Sequence, residues 1–134
     1  MTRDCENLPL ALYSAQQVSE LDAKLIAAGT PGFELMSRAA HAIWRALRRR
    51  WPDAGAITVL AGHGNNGGDG YLIAALALRS GWQVSVLAVG DASQLRGDAA
   101  LARDEAVAAG VRIEPWSAQS VLNGVVVDAM LGTG

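Results

Sequence analysis

Cysteine, aromatic residues and charge are all scarce in this sequence of 134 residues, which has one cysteine, 5% aromatic residues and 18% charged residues. Cys5 has no second cysteine for an internal disulfide and no partner at metal-ligand spacing, so we expect a reducing, cytoplasmic compartment. The formal net charge is only −2, which argues against a dedicated nucleic-acid-binding protein. The chain has no long hydrophobic run, and its opening segment MTRDCENLPLAL is too acidic and too briefly apolar for a secretory signal.

Hydrophobic residues, in contrast, make up 51% of the chain, so it can bury a core as one domain or as part of one. Its first part predicts two helices. Ser14 and Gln17 form a capping box ahead of apolar residues at helical spacing, and Thr30 and Pro31 begin a second helix that ends at Trp51. These two helices form a predicted helical extension over about residues 14–51.

From residue 56 onward, short apolar runs alternate with helical segments. The sequence predicts strands over 56–62, 84–90 and 125–131, a weak strand near 112–113, helices over about 70–80 and 95–109, and a turn or short helix around 117–122. Strands that alternate with helices favour right-handed crossovers and a parallel sheet with helices on both faces. The predicted fold class is therefore α/β, with a βαβ core over about residues 56–134.

The most informative stretch is GHGNNGGDG, residues 62–70, which has five glycines between a predicted strand and a predicted helix. Glycines here allow positive φ and a close approach of the backbone to a ligand, and a helix N-terminus offers free N–H groups to an anion. In open α/β sheets, ligands bind beyond the carboxyl ends of the strands. We therefore predict a ligand-binding loop, with a merely tight connection as the alternative.

The loop alone does not identify its ligand. Residues 62–67 match the dinucleotide fingerprint GxGxxG, and Asp91 follows the second predicted strand, near where a ribose-binding acid belongs. However, the loop continues to Gly70 and is longer than a tight Rossmann turn, and the Asp69 carboxylate would repel a pyrophosphate unless a cation offsets its charge. No Gly-Lys-Ser/Thr follows the glycines, which excludes a P-loop.

Two separated motifs make the sequence recognisable. They are Asn65-Asn-Gly-Gly-Asp-Gly70 followed by Ala74 and Leu76, and Asp128-Ala-Met-Leu-Gly-Thr-Gly134, with Ser14-Ala-Gln-Gln, Gly29-Thr-Pro and Leu35-Met36 before Arg38-Ala39-Ala40 upstream. From about residue 12 onward, the chain resembles the YjeF N-terminal domain family, the NAD(P)H-hydrate epimerases. Ser37, where the family often has glutamate, and Met130, where leucine is common, depart from the family pattern but leave the glycines unchanged.

This resemblance implies a Rossmann-like three-layer αβα fold and an isomerase that interconverts the R and S epimers of hydrated NADH and NADPH (NADHX and NADPHX). It also implies a dehydratase, fused downstream or separate, that restores the S epimer to the intact cofactor. The family is compatible with a homodimer, and we expect neither nucleic acid nor a membrane as a partner. The family's domain is longer than this chain, so we expect the sequence to stop within the domain, before a further Asp-Ile-Pro-Ser-Gly-type segment of the site.

The resemblance also implies roles for particular residues. Those lining the substrate site would be Asn65, Asn66, Gly67, Gly68 and Asp69, with Gly132, Thr133 and Gly134 at the substrate phosphates. Asn66 and Asp128 would hold a potassium ion, one per subunit, which would offset the nearby carboxylate charge. Asp69 is the candidate catalytic acid/base for loss and return of the ring hydroxyl or for ring opening.

Each of these roles has an alternative. Asp69 could instead cap a helix that begins near Gly70, Asp128 could cap the turn that follows it, and residues 132–134 could form a simple turn. His63 either donates to a phosphate or lies against the sheet edge, whereas Arg48 to Arg50 are expected to form a solvated helix end. At the level of function, the alternatives are a non-catalytic Rossmann-like module that binds a nucleotide or a protein, and an ordinary nicotinamide-dependent dehydrogenase.

Overall fold

The computed structural model describes residues 32–130, and the structural statements that follow concern this part of the chain. Its elements, in order, are α1 (Gly32–Arg50), β1 (Ala56–Ala61), α2 (Asn65–Arg79), β2 (Gln83–Ala88), a 3-10 turn (Ala92–Gln94), α3 (Gly97–Ala109), β3 (Arg112–Pro115) and β4 (Val125–Ala129). The helix predicted from Ser14 and the motif Gly132-Thr133-Gly134 lie outside the described residues.

The four strands form one parallel sheet in the order β3-β2-β1-β4. The chain moves outward from β1 to β2 and β3, and then crosses back past β1 to add β4 on its other side. This is the strand order of Rossmann-type sheets, in which the direction reverses between the first and fourth strands and opens a crevice at their carboxyl ends. The predicted α/β class and parallel sheet are therefore confirmed.

All three helices pack together on one face of the sheet. The β1-α2-β2 and β2-α3-β3 units advance in the same direction, so right-handed crossovers place α2 and α3 side by side. Gly68 of α2 lies against Met36 of α1 and Ala99 of α3. Alternate residues of the strands complete this core, among them Ile57 and Val59 of β1, which are almost completely buried. Residues 32–130 thus contain the sheet and one of its two predicted helical layers.

The connection from β3 to β4 crosses the opposite face of the sheet. Thr58, in the middle of β1, is completely buried there; its hydroxyl donates to the carbonyl oxygen of Asn123 (2.9 Å) and accepts from the N–H of Asn123 (2.8 Å). Residues 117–122 contain a turn and no helix. Gly124 has a φ of +68°, and a Cβ at this position would collide with the carbonyl group of Ala56, so the entry into β4 requires glycine.

The outer end of α1 is a solvated basic segment, as the sequence predicts. Residues 48–50 are exposed, and the Arg48 guanidinium lies 5.7 Å from the centroid of the Trp44 ring. On its inner side, Trp44 packs edge-on against Trp82 with ring centroids 5.0 Å apart, which anchors α1 next to the start of β2. No helix within residues 32–130 combines the length and the apolar character needed to cross a membrane.

Candidate functional site

The turn between β1 and α2 is much shorter than the sequence predicts. β1 ends at Ala61 and α2 begins at Asn65, with Gly64 in an extended conformation at its N-cap. The prediction of a loop that continues to a helix beginning near residue 70 is therefore wrong. Asparagine and glycine have weak helix propensity, but here packing against the sheet overrides that preference. The connection is as tight as the first turn of a Rossmann unit.

The glycines of this turn provide room rather than unusual backbone angles. None of the five glycines in residues 62–70 has a positive φ, so that part of the prediction is wrong. A Cβ at Gly67 would collide with the carbonyl oxygen of Gly62, and a Cβ at Gly70 would lie 2.8 Å from Val59 Cγ1 and 2.9 Å from Ala129 Cβ. The close approach that the glycines allow is thus between α2 and the two central strands.

This close packing places two polar side chains within the first turns of α2. Asn66 is 9% exposed and Asp69 is 2% exposed, whereas Asn65 is exposed to solvent. Residues three apart lie on the same side of a helix, so Asn66 and Asp69 are neighbours at the carboxyl edge of the sheet. Because α2 begins at Asn65, the alternative in which Asp69 caps a helix that starts near Gly70 is wrong. Asp69 is a carboxyl group largely shielded from bulk water beside the positive end of a helix dipole.

The second motif approaches the same edge from the neighbouring strand. β4 pairs with β1, and the N–H of Gly62 donates to the carbonyl oxygen of Ala129 at 2.9 Å. Gly62 also lies so close to Met130 that a Cβ would collide with the carbonyl oxygen of Met130. The end of β4 and the glycine turn therefore lie side by side at the switch point of the sheet.

Asp128 lies at this edge and is exposed, although the run of valines before it favours a buried position. Ala129 faces Gly70 of α2, so the alternation of side chains along the strand directs Asp128 to the opposite face, where it is exposed. Its Oδ1 accepts a hydrogen bond from the N–H of Met130 at 3.1 Å, the contact expected if it caps the following turn. The second carboxylate oxygen leaves Asp128 able to take part in ion binding as well.

His63 and Asp91 meet at the carboxyl end of β2. A Cβ at Gly90 would lie 3.1 Å from Cδ2 of His63, so the imidazole lies against the sheet edge, one of its two predicted positions. Asp91 Oδ1 accepts hydrogen bonds from the Ser93 hydroxyl (2.7 Å) and the Ser93 N–H (2.9 Å). These two bonds lower the pKa of the Asp91 carboxyl, and the charges of His63 and Arg96 lower it further.

Arg96, in the loop after β2, and Tyr71, buried in α2, are charged or titratable residues that no motif in the sequence marks. Arg96 Nη1 donates to the carbonyl oxygens of Ser93 (2.7 Å) and Leu95 (2.9 Å), which ties its positive charge to the loop after β2. Tyr71 is 1% exposed, and this burial raises the pKa of its phenol, although the charge and hydrogen bond of Arg103 oppose the rise. The environment of Tyr71 depends on a contact between two separate helices.

Comparison with known proteins assigns this chain to a protein family. A family model described as "YjeF-related protein N-terminus" matches residues 32–134, which is most of the chain and includes both motifs. The chain belongs to this YjeF N-terminal family. The resemblance drawn from its motifs is therefore confirmed.

Relatives of this YjeF-family chain have names that refer to NAD(P)H hydrates. It is 43% identical over 124 residues to the "Bifunctional NAD(P)H-hydrate repair enzyme Nnr" of Coxiella burnetii, covering 92% of this chain and 25% of the relative. It is 36% identical over 133 residues to the "NAD(P)H-hydrate epimerase" of Rhodobacter capsulatus, covering 92% of this chain and 62% of the relative. The chain thus spans less than two thirds of the length of these relatives.

A solved structure independently supports the fold described for this chain. The crystal structure of yeast ynu0 superposes with a TM-score of 0.60 at 23% sequence identity, covering 76% of this chain and 46% of that chain. At this identity the likeness concerns the fold, and it agrees with the Rossmann-type strand order described above.

Proposed function

We propose that this YjeF-family protein interconverts the R and S epimers of hydrated NADH and NADPH. The Rhodobacter capsulatus relative is named for this epimerisation, and the Coxiella burnetii relative is named for the repair of the same hydrates. The observation that carries the proposal is Asp69, a carboxyl group only 2% exposed, placed by a tight glycine turn at the switch point where Rossmann-type sheets bind nucleotides. A buried carboxyl at such a point can serve the chemistry as an acid and a base in turn.

The proposed reaction exchanges the hydroxyl at C6 of the reduced nicotinamide ring. Asp69 in its protonated form donates a proton to the C6 hydroxyl, and the lone pair of the ring nitrogen helps to expel it as water. Water then adds to either face of C6 and returns a proton to the Asp69 carboxylate. Bonds, charge and protons balance over the cycle, and the only change is the configuration at C6.

Phosphate binding would come from two neighbouring segments. The N-terminal N–H groups of α2 point toward the carboxyl edge of the sheet, where a helix N-terminus favours an anion. Gly132, Thr133 and Gly134 lie outside the described residues, but they follow directly after β4, whose end lies beside Gly62. We propose that these residues and Asn65 to Asp69 share the substrate, with its phosphates nearest to Gly132–Gly134.

We propose that a potassium ion binds at this edge of the sheet, because amide and carboxylate oxygens are donors that suit a hard cation. Asn66 supplies an amide oxygen and Asp128 an exposed carboxylate, both of them hard oxygen donors at the same edge of the sheet. Within residues 32–130 no group of three or more His, Cys, Asp or Glu side chains forms a site for a more highly charged metal. When bound, a potassium ion would offset the negative charge of Asp69 and Asp128 beside the substrate phosphates.

The relatives also suggest the biochemical setting. Because several of them are named bifunctional NAD(P)H-hydrate repair enzymes, we propose that a dehydratase activity consumes the S epimer that this protein supplies, in the same chain or in a separate one. We place the reaction in the cytoplasm, where the single cysteine would remain reduced.

The test is epimerisation of pure R-NADHX by wild type, Asp69→Asn and Asp104→Asn, followed by chromatographic separation of the two epimers. Asp104→Asn is the matched control, since Asp104 is exposed on α3. We expect Asp69→Asn to lower kcat by about a hundredfold or more, the scale of general acid–base catalysis, and the control to retain wild-type turnover. Repeating the assay with sodium in place of potassium tests the cation.

The possible results separate the candidate functions. No epimerisation by wild type in the presence of potassium would refute the proposal and leave a non-catalytic binding module. Full turnover by Asp69→Asn would show that Asp69 is not the acid/base, although the protein would still be an epimerase. Equal rates in sodium and potassium would refute the ion assigned to Asn66 and Asp128.

A further inference from the structure

The chain contains two Asn-Gly steps, and the fold places them in very different environments. Asn66-Gly67 lies in the first turn of α2, whereas Asn123-Gly124 lies in the connection that leads into β4. Asparagine is a chemically labile residue, and a following glycine makes it more so, because glycine has no Cβ to shield its main-chain nitrogen or to restrict its backbone. The environment of each step therefore decides whether it reacts.

The fold requires this labile sequence at the entry to β4. Gly124 has a φ of +68°, and a Cβ there would collide with the carbonyl oxygen of Ala56, so no larger residue can shield the nitrogen next to Asn123. Asn123 is exposed, in a stretch without helix or strand. Both of its hydrogen bonds to Thr58 come from its main chain, so they do not hold the side-chain carboxamide.

The reaction open to Asn123 needs only water. The main-chain nitrogen of Gly124 attacks Cγ of Asn123 and forms an N–Cγ bond, while its proton goes to the amide nitrogen, which leaves as ammonia. Water then opens the resulting succinimide ring. Opening at Cγ gives aspartate, and opening at the main-chain carbonyl carbon gives isoaspartate, in which the chain continues through the side chain and is longer by a methylene group. No atom is oxidised or reduced overall.

At Asn66 the fold opposes the same reaction. The ring closes only if the main chain after the asparagine rotates until the next nitrogen reaches Cγ. Gly67 lies within α2, so close to Gly62 that a Cβ would collide with the carbonyl oxygen of Gly62, and Asn66 itself is 9% exposed. The rotation would require the start of α2 to unwind and leave the sheet, which is a costly local unfolding.

We propose that Asn123 is a site of spontaneous deamidation and isomerisation, and that the Thr58 hydroxyl slows the reaction. This hydroxyl bonds the N–H (2.8 Å) and the carbonyl oxygen (2.9 Å) of Asn123, so the segment must leave Thr58 before its main chain can rotate. In isoaspartate that carbonyl group is no longer part of the main chain, and the added methylene disturbs the pairing of β4 with β1, which starts at Val125. The modification thus loosens the strand that carries Asp128.

The test follows both Asn-Gly steps in one sample during incubation at physiological temperature and slightly alkaline pH. Trypsin cleaves after arginine, so Asn66 and Asn123 fall in different peptides, which begin at Trp51 and Ile113. Mass spectrometry with electron-based fragmentation measures deamidation in each peptide and distinguishes isoaspartate from aspartate. Wild type is compared in native buffer and in urea, and Thr58→Val is compared with Thr58→Ser, which keeps the hydroxyl.

In native buffer we expect Asn123 to deamidate at least about tenfold faster than Asn66, whereas in urea the two rates should be similar, because no structure protects either step. Thr58→Val should accelerate the reaction at Asn123 by about fivefold or more, as the loss of its hydrogen bonds can produce, while Thr58→Ser stays close to wild type. The isolated isoaspartate form should unfold at a lower urea concentration than freshly prepared Asn123→Asp, which has the same charge on an ordinary main chain.

Three results would overturn the inference: native wild type that keeps Asn123 intact while the chain in urea deamidates there, native wild type in which Asn66 reacts as fast as Asn123, or a Thr58→Val rate equal to that of wild type. If Thr58→Val does not fold by circular dichroism, the comparison of native with unfolded wild type decides the matter. None of these measurements depends on turnover, so the proposed function stands or falls separately.

Discussion

Replacing Gly70 by alanine tests whether the glycine turn exists to bring α2 close to the sheet. The new methyl group would lie 2.8 Å from Val59 Cγ1 and 2.9 Å from Ala129 Cβ, closer than carbon atoms can pack. Val59 is fully buried and β-branched, and the Cβ of Ala129 moves only with its backbone, so neither neighbour can rotate away. The helix or one of the central strands must shift.

The expected magnitude is a balance of two effects. In a helix, alanine is favoured over glycine by about 1 kcal/mol. Forcing a methyl group into a packed core costs about 1–3 kcal/mol, and two rigid neighbours place Gly70 near the upper end. We therefore expect the free energy of unfolding to fall by about 1–2 kcal/mol, which lowers the urea midpoint by roughly 0.5–1 M.

Gly68→Ala is the matched comparison in the same helix. Its methyl group would lie 2.9 Å from the end of the Met36 side chain, which is flexible, and 3.0 Å from the Cα of Ala99. We expect a smaller loss of stability than for Gly70→Ala, measured for both variants by urea unfolding followed with circular dichroism and tryptophan fluorescence. A Gly70→Ala protein as stable as wild type would refute the close-packing explanation of the turn.

Two further predictions concern stability away from the turn. Thr58→Val should lower the free energy of unfolding by about 1–2 kcal/mol, because it removes the two hydrogen bonds that the buried Thr58 hydroxyl makes with the N–H and the carbonyl oxygen of Asn123; Thr58→Ser should lose less, and equal losses would contradict this. Burial raises the pKa of Tyr71 above its ordinary value of 10.0, so as the pH rises past 10 the unfolded state releases this proton first and wild type loses stability. Unfolding across pH 9–12 should therefore show a steeper loss for wild type than for Tyr71→Phe, and equal slopes would contradict it.

The strands were predictable because their apolar runs are short and stand between glycines. β1 and β4 were both expected, and they differ from the structure by one or two residues at their ends. The beginning of α2 was not predictable, because Asn65 to Gly70 are poor helix formers and become helical only where the sheet packs against them. The same packing explains why the glycines of the turn have ordinary φ values.

Side-chain direction was the least predictable property of the site. A valine run before Asp128 suggests a buried carboxylate, but alternation along β4 directs it to the face opposite the three helices. The sequence supported two positions for His63 equally, one against a phosphate and one against the sheet edge. In the structure its ring lies against Gly90 at the end of β2. These outcomes depend on which strand lies beside which, and the order β3-β2-β1-β4 places residues far apart in sequence at one edge.

By itself, the sequence determined the α/β class, the family and the identity of the glycine turn with its candidate Asp69, because periodicity and motifs are local properties of a chain. Only the tertiary structure decided that α2 begins at Asn65, that Asp69 is buried while Asp128 is exposed, and that His63 lies close to Asp91. Each of these follows from contacts between separate segments, and such contacts exist only once the strands have paired and the helices have packed on the sheet.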